Sequence, residues 1–223
     1  MTRILCYFVV IASVTVLGLG TPAHAQDEPD RLRGVITEVD GATMVMETTD
    51  GKTIHLGIPD YITVFSLTEA RFEDLEFGAY IGAANVQLTG ERHSPFIRDS
   101  ASWLHEGFEL RIIDEDIRGI ALGHTPWDLP NRSTEASVAE TSMTHGWIDD
   151  IELRTVMIKY GPTPEEETDV EFNEEVPVVR MAIGESDLIK PGVRVLVGAQ
   201  NDEDDNYVAV FAFIGVNGVV PGM

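Results

Sequence analysis

The sequence predicts a mainly β protein made of two related small β-barrel modules in tandem. Two observations carry the prediction: one stretch of the chain repeats another, and both consist of short segments in which apolar and polar residues alternate. Gly34 and Gly146 mark the repeat at an offset of 112 residues, and Gly78 and Gly192 mark it at 114. The two copies therefore keep register apart from a two-residue insertion, as duplicated modules would.

The first copy begins as a meander of short strands. Alternation with a period of two predicts strands, and Gly41 and the pair Asp50-Gly51 predict the turns between them. Thr68, followed by acidic residues, predicts a short helix from Thr68 to Leu75. The predicted strands cover residues 34–38, 44–47, 52–56, 62–65, 79–88 and 109–113.

The second copy repeats this order, with a one-turn element from Ser186 to Ile189 in place of the short helix. Its predicted strands cover residues 146–150, 153–160, 169–172, 176–180, 193–199 and 207–216. Short antiparallel strands with a small helix before the penultimate strand are typical of closed or partly closed barrels of the OB-like kind. An open sandwich is the alternative.

The first 25 residues predict export. Arg3 precedes an almost wholly apolar run from Ile4 to Leu19, and Ala23-His24-Ala25 forms a small-x-small cleavage site. A membrane anchor is the alternative, but the run is short for a span and no basic stop-transfer residues follow it. We expect a soluble periplasmic protein, divided into a signal peptide (1–25), a first β-module (26–122), a linker (123–145) and a second β-module (146–223).

Composition limits the possible partners. Cys6 is the only cysteine and lies in the predicted signal peptide, so the mature chain is expected to have neither disulfides nor thiolate metal sites. The formal net charge is −23, which repels nucleic acids and anionic membranes. No later segment approaches the roughly 20 apolar residues of a membrane helix.

An insertion distinguishes the first copy from the second. Between Leu88 and Glu109 the first copy has roughly a dozen more residues than the matching hairpin of the second. Trp103 and His105 lie in a predicted helix from about Ser94 to Glu106. The insertion could be a lid or partner-binding segment, or a surface loop with a packed tryptophan.

A dense motif joins the copies: Gly123-His124-Thr125-Pro126-Trp127-Asp128-Leu129. His124 stands four residues before Asp128 and Pro126 restricts the backbone between them, so an imidazole–carboxylate hydrogen bond is geometrically plausible. The pair could serve acid–base chemistry or a cation site. The structural alternative is a rigid connector in which Trp127 fills the seam between modules and Asp128 caps a turn or pairs with Arg118.

This motif, the preceding segment from Glu109, and the ending Gly218-Val219-Val220-Pro221-Gly222-Met223 resemble a family of small exported bacterial proteins of unknown function. Those proteins have tandem β-modules, a Gly-His-x-Pro-Trp-Asp motif and a similar tail. Genome records often label them metal ABC transporter permeases, which conflicts with the absence of a predicted span here. The resemblance implies an envelope protein and supplies no catalytic residues.

The sequence predicts no cofactor. The histidines after the signal peptide occur singly, without the spacing that places two imidazoles on one face. Met44 and Met46 share a strand face that could suit copper(I), but core packing explains them more simply. The acidic runs lack the pattern of an EF-hand loop and are typical of solvated loops, so only weak cation binding is possible.

We therefore predict a non-catalytic binding or accessory protein with a site at the module junction. The candidate ligand-binding residues are Arg118, His124, Trp127 and Asp128. The ligand could be a small molecule, a cation or another envelope protein. One alternative is a hydrolase-type enzyme in which Asp128 orients His124 as a general base. The other is a structural or assembly factor with a protein partner.

Overall fold

The computed structural model describes residues 29–88, 95–96, 104–127, 141–163, 165–202 and 206–222. Within these ranges the chain forms thirteen β-strands and three short 3-10 turns. The predicted signal peptide, Trp103 and Asp128 lie outside the described residues. The mainly β class and the barrel architecture predicted from the sequence are confirmed.

The strands follow the predicted order closely. In the first copy they are β1 (Asp30–Asp40), β2 (Thr43–Thr48), β3 (Thr53–Gly57), β4 (Thr63–Ala70), β5 (Tyr80–Gln87) and β6 (Leu104–Ile113). The central motif contains β7 (Gly123–Pro126). In the second copy they are β8 (Thr141–Glu152), β9 (Thr155–Lys159), β10 (Glu167–Glu171), β11 (Val178–Ile183), β12 (Arg194–Asn201) and β13 (Tyr207–Gly215).

Strand pairing closes two rings of five strands. Ring A consists of β1, β2, β3, β13 and β12, and it closes where Gly57 of β3 pairs with Val208 of β13. Ring B consists of β8, β9, β10, β6 and β5, and it closes through a parallel pairing of β10 with β6. Each ring has its own apolar core of inward-facing residues.

Each ring is built from both copies of the repeat. The first three strands of one copy pair with the last two strands of the other: β1 pairs with β12, and β8 pairs with β5. The rings therefore cross the predicted module ranges 26–122 and 146–223, which describe the repeat in the sequence but not the composition of either ring. The two copies are interlocked.

The pairing between the two copies has the same register in both rings. Gly34 of β1 lies opposite Val195, and Gly146 of β8 lies opposite Ile81, the residue that matches Val195 in the first copy. Both glycines are required by close packing. A Cβ atom at Gly34 would lie 2.1 Å from the carbonyl oxygen of Glu47, and one at Gly146 would lie 2.4 Å from the carbonyl oxygen of Lys159.

Two further strands join the rings. β4 pairs with β11 in antiparallel fashion, and Leu67 lies opposite Met181, its own equivalent in the other copy. β4 also pairs with β13 of ring A, and β11 pairs with β6 of ring B. A third apolar cluster, which includes Phe65, Leu67, Tyr80 and Met181, fills the space between the rings. We call this region the seam.

The predicted helix from Thr68 to Leu75 is wrong. β4 continues to Ala70 because its pairing with β11 extends that far. Only Phe72–Asp74 forms a 3-10 turn, in which the backbone N–H of Arg71 donates to the Asp74 carboxylate at 2.8 Å. Ser186–Leu188 forms the equivalent turn in the second copy. Tertiary strand pairing overrides the local capping signal.

The predicted helix from Ser94 to Glu106 is wrong at its C-terminal end, because β6 already begins at Leu104. Most of the remaining insertion lies outside the described residues. The predicted linker 123–145 includes strand at both ends, since β7 pairs with the first residues of β8. Across the described ranges, no helix has the length and apolar character that a membrane span requires.

Candidate ligand-binding site

The two aromatic side chains of the central motif, His124 within β7 and Trp127 directly after it, lie in different surroundings. Residues an odd number of positions apart on a strand face opposite sides. The Nδ1 atom of His124 lies 2.7 Å from the Thr144 hydroxyl, and its imidazole stacks on Tyr160 with 5.9 Å between ring centroids. Trp127 instead packs into the seam, against the cluster that contains Met143. The strand therefore separates the two residues that the sequence placed in one site.

His124 lies in a small polar cluster of ring B. The imidazole of His105 lies 5.4 Å from that of His124 between centroids, and its Nδ1 atom lies 2.8 Å from the Thr168 hydroxyl. Burial lowers the pKa of His124, which favours the uncharged imidazole. The predicted hydrogen bond to Asp128 falls on a residue outside the described ranges, so it stays a prediction.

Arg118 lies at the protein surface. Its Nη2 atom is 2.7 Å from the carboxylate of Glu115, three residues earlier, and both side chains are exposed. An exposed pair of this kind contributes little to stability. Arg118 is also absent from the residues that line the cavity beside Trp127.

A cavity of about 430 Å³ lies in the seam beside Trp127. Its walls are mainly apolar and come from both rings and from the joining strands. Its aromatic and methionine side chains are Phe65, Trp127, Phe211, Phe213, Met143 and Met181, and its charged or polar side chains include Arg31, Arg111 and His145. Pockets of this size and character commonly hold small molecules.

Arg111 is the most unusual residue of this cavity. Its side chain is only 3% exposed, and its Nε atom donates to the Glu109 carboxylate at 2.6 Å. Its guanidinium also lies over the Phe213 ring, 4.7 Å from the centroid. The Nη2 atom has no hydrogen-bond partner among the described residues. A charged donor is thus buried with part of its hydrogen-bonding capacity unused.

Two other cavity residues have unpartnered nitrogen atoms. The indole Nε1 of Trp127 and the Nδ1 of His145 are buried and make no hydrogen bond within the described part of the chain. The Arg31 guanidinium covers the Trp127 ring at 3.5 Å from its centroid. Burial, and secondarily Arg111, lowers the pKa of His145 to about 4, so this imidazole is uncharged at neutral pH.

The seam also concentrates positive charge. Burial lowers the pKa of Arg33, and the neighbouring Arg31 and Arg111 guanidinium groups lower it further while Glu109 opposes them. Of these arginines, Arg31 and Arg111 line the seam cavity, whereas Arg33 lines a different pocket. The Nε and Nη2 atoms of Arg33 are likewise buried without hydrogen-bond partners in the described ranges. These arginines occur together in a chain of net charge −23.

A larger depression of about 770 Å³ lies elsewhere, beside Phe72 and Val219. Its cationic side chains are already engaged. Arg154 donates to the carbonyl oxygens of Phe172 and Asn173 at 2.8 and 3.0 Å, and Arg71 pairs with Asp74. The seam cavity, with its unpartnered donors, is therefore the better candidate for a binding site despite its smaller volume.

Sequence reasoning included Trp127 but missed Arg31, Arg111 and His145. The segment Glu109-Leu110-Arg111 has the alternation of an ordinary strand, which predicts a strand but not a site. A comparison of the two copies could have identified this pair, because the register aligns Glu109 and Arg111 with Phe211 and Phe213. The first copy has a charged pair at the two positions where the second copy has two phenylalanines, so the copies differ there.

The described residues contain no group of three or more histidine, cysteine, aspartate or glutamate side chains arranged to hold a metal ion. Met44 and Met46, whose shared strand face could suit copper(I), are buried in the core of ring A.

No protein-family model, curated protein or solved structure matches the chain. The residues and geometry of the seam are therefore the basis for inferring a function.

Proposed function

We propose that the protein is an exported, non-catalytic binding protein that holds a small molecule in the seam cavity. The observation that carries this proposal is the buried, unpartnered Nη2 atom of Arg111, a residue that lines a mainly apolar cavity. Leaving a buried donor unsatisfied costs about 1–3 kcal/mol. A ligand with an acceptor atom would offset that cost, whereas a purely structural seam would retain it.

Binding without turnover fits the lining of the cavity. Nucleophilic catalysis needs a hydroxyl, thiol or carboxylate activated by a neighbouring base. Neither serine, cysteine nor a carboxylate occurs among the described lining residues, and Thr63 is exposed at the strand start. The proposed periplasmic location depends on the predicted signal peptide.

Titration with the neutral fluorophore N-phenyl-1-naphthylamine tests the proposal, because its emission rises in apolar surroundings. Val210 lines the cavity, and Val210→Phe adds volume there. Val220 is 54% exposed and lies outside this cavity, so Val220→Phe is a matched control. We expect saturable binding that weakens about tenfold or more in Val210→Phe and is unchanged in Val220→Phe.

Thr63→Phe provides a second filling variant at an exposed position of the lining, in case Val210→Phe disturbs the fold. Circular dichroism and urea unfolding identify which variants retain the parent structure. Absence of saturable binding, or equal binding by the parent and a folded filling variant, would contradict the proposal.

A further inference from the structure

We infer that the ligand of the seam cavity is a small organic anion, a carboxylate attached to an apolar body. This inference depends on the proposed function, because it specifies the chemistry of a ligand bound in the same cavity. The observation behind it is that Arg111 and Trp127, which both have unpartnered nitrogen donors, line the same cavity as aromatic and methionine side chains.

Local charge selects an anion. Arg31 and Arg111 line the cavity, and both act on the nearby Arg33 as like charges, whereas Glu109 acts on it as an opposite charge. A cation entering this cavity would meet the guanidinium groups of Arg31 and Arg111, whereas an anion would be attracted to them. A carboxylate in the cavity would supply a second anion for the guanidinium groups, which is the arrangement that stabilises buried charges.

Donor geometry favours a carboxylate. A guanidinium presents its N–H groups in a planar fork that matches two carboxylate oxygens. Glu109 already accepts from the Nε atom of Arg111 at 2.6 Å, which leaves the Nη2 atom for a second acceptor. Trp127 contributes a further donor-only nitrogen to the same lining.

The chain's own tail covers the other side of this charged group. A Cβ atom at Gly222 would lie 1.9 Å from Oε2 of Glu109, so the tail backbone packs directly on this carboxylate. Val219 packs on the apolar cluster of the seam nearby. Glu109 is thus enclosed on the tail side, whereas Arg111 lines the cavity. A ligand anion would approach Arg111 from the cavity.

The rest of the lining suits an apolar body. Phe65 and Phe213 stack with 5.0 Å between ring centroids, and Phe211 packs edge-on against Phe213 at 5.5 Å. Met143 and Met181 complete the wall with adaptable thioether side chains. At about 430 Å³, the cavity accommodates a compact molecule whose charged group contacts the arginines.

A matched pair of probes tests this inference. N-phenyl-1-naphthylamine and 8-anilinonaphthalene-1-sulfonate share the same aromatic body, and the second adds an anionic group. We expect the anionic probe to bind the parent protein about tenfold more tightly, as a charge-assisted hydrogen bond provides. In Arg31→Gln this preference should fall below about threefold while binding of the neutral probe is retained.

Arg194→Gln is the control, because Arg194 is exposed and lines a different pocket. It should leave the anion preference unchanged. Arg111→Lys, which keeps the charge but removes the guanidinium fork, is a second test and should also reduce the preference. The inference is supported if folded Arg31→Gln or Arg111→Lys loses the preference for the anionic probe and Arg194→Gln keeps it.

The outcomes separate the inference from the proposed function. If the neutral probe binds in the cavity and the anionic probe shows no preference, the inference is overturned and the binding proposal stands. A preference that is unaffected by both cavity variants also overturns the inference. If neither probe binds, the binding proposal and the inference both fail.

Discussion

Arg111 and Phe213 occupy equivalent positions in the two copies of the repeat and contact each other across the seam. Their equivalence follows from register, since Ile112 lies opposite Ile81 and Ile214 lies opposite Val195. The guanidinium carbon of Arg111 lies 4.7 Å from the Phe213 ring centroid. At this position the duplicated chain uses a cation in one copy and an aromatic ring in the other, and the seam cavity lies beside the pair.

The first prediction concerns the buried ion pair. Glu109→Gln removes the only carboxylate described within hydrogen-bond distance of Arg111 and leaves its charge uncompensated. We expect a loss of about 3 kcal/mol in the free energy of unfolding, measured by urea denaturation. The double variant Glu109→Gln/Arg111→Met should lose less than the sum of the two single variants.

Glu115→Gln is the matched control, since Glu115 forms an exposed pair with Arg118. Its effect should stay below about 1 kcal/mol. Additive losses in the double variant would show that Glu109 and Arg111 do not stabilise one another.

The second prediction concerns pH. The pKa of His145 is lowered to about 4 in the folded protein, so the unfolded chain binds its proton more readily. Its contribution to stability is fully present above about pH 6.5 and is lost as pH falls toward 4. Acidification from pH 7 to 5 should therefore cost about 2 kcal/mol more in the parent than in His145→Gln.

Urea unfolding of both proteins at several pH values measures this difference. His55 is exposed on β3, so His55→Gln should retain the pH dependence of the parent protein. A parent and a His145→Gln variant with the same pH dependence would contradict the buried, uncharged state of His145.

The third prediction concerns the two glycines that mark the repeat. Gly34→Ala and Gly146→Ala would place a Cβ atom against a backbone carbonyl that cannot move independently. Each should lower the free energy of unfolding by at least about 2 kcal/mol. Gly57→Ala is the control because its Cβ would meet a side-chain methyl of Val208, and we expect a smaller loss. Equal losses at all three positions would argue against this register.

The fourth prediction concerns strand exchange. A fragment of residues 26–122 lacks β12 and β13, so ring A cannot close in it. We expect this fragment and the fragment 123–223 to be unfolded when separate and to form a folded 1:1 complex when mixed. Circular dichroism and analytical ultracentrifugation measure both properties. Independent folding of either fragment would contradict the interlocked arrangement.

Local sequence was sufficient for most strands but not for their partners. Hairpins such as β1–β2 follow from short turns and alternation. The choice of β12 instead of β5 as the other neighbour of β1 does not, because both strands follow a matching turn glycine, Gly192 or Gly78, and both are largely apolar. Pairing within a copy and pairing between copies are therefore difficult to distinguish from the sequence.

The candidate site was only partly predictable for a similar reason. Trp127 stood out because it lies in a dense motif, and it does line the seam cavity. Arg111 lies in a strand of regular pattern that does not distinguish it from its neighbours. Its burial depends on the neighbouring ring. His124 was grouped with Trp127 by sequence proximity, although strand alternation directs the two side chains into different surroundings.

A crystal structure of the full mature chain with 8-anilinonaphthalene-1-sulfonate tests the central claim most directly. We predict that the probe lies in the seam cavity, with its aromatic body beside Phe211 and its sulfonate within hydrogen-bond distance of Arg111. A probe bound only outside the seam, beside a cavity closed by side chains, would contradict it.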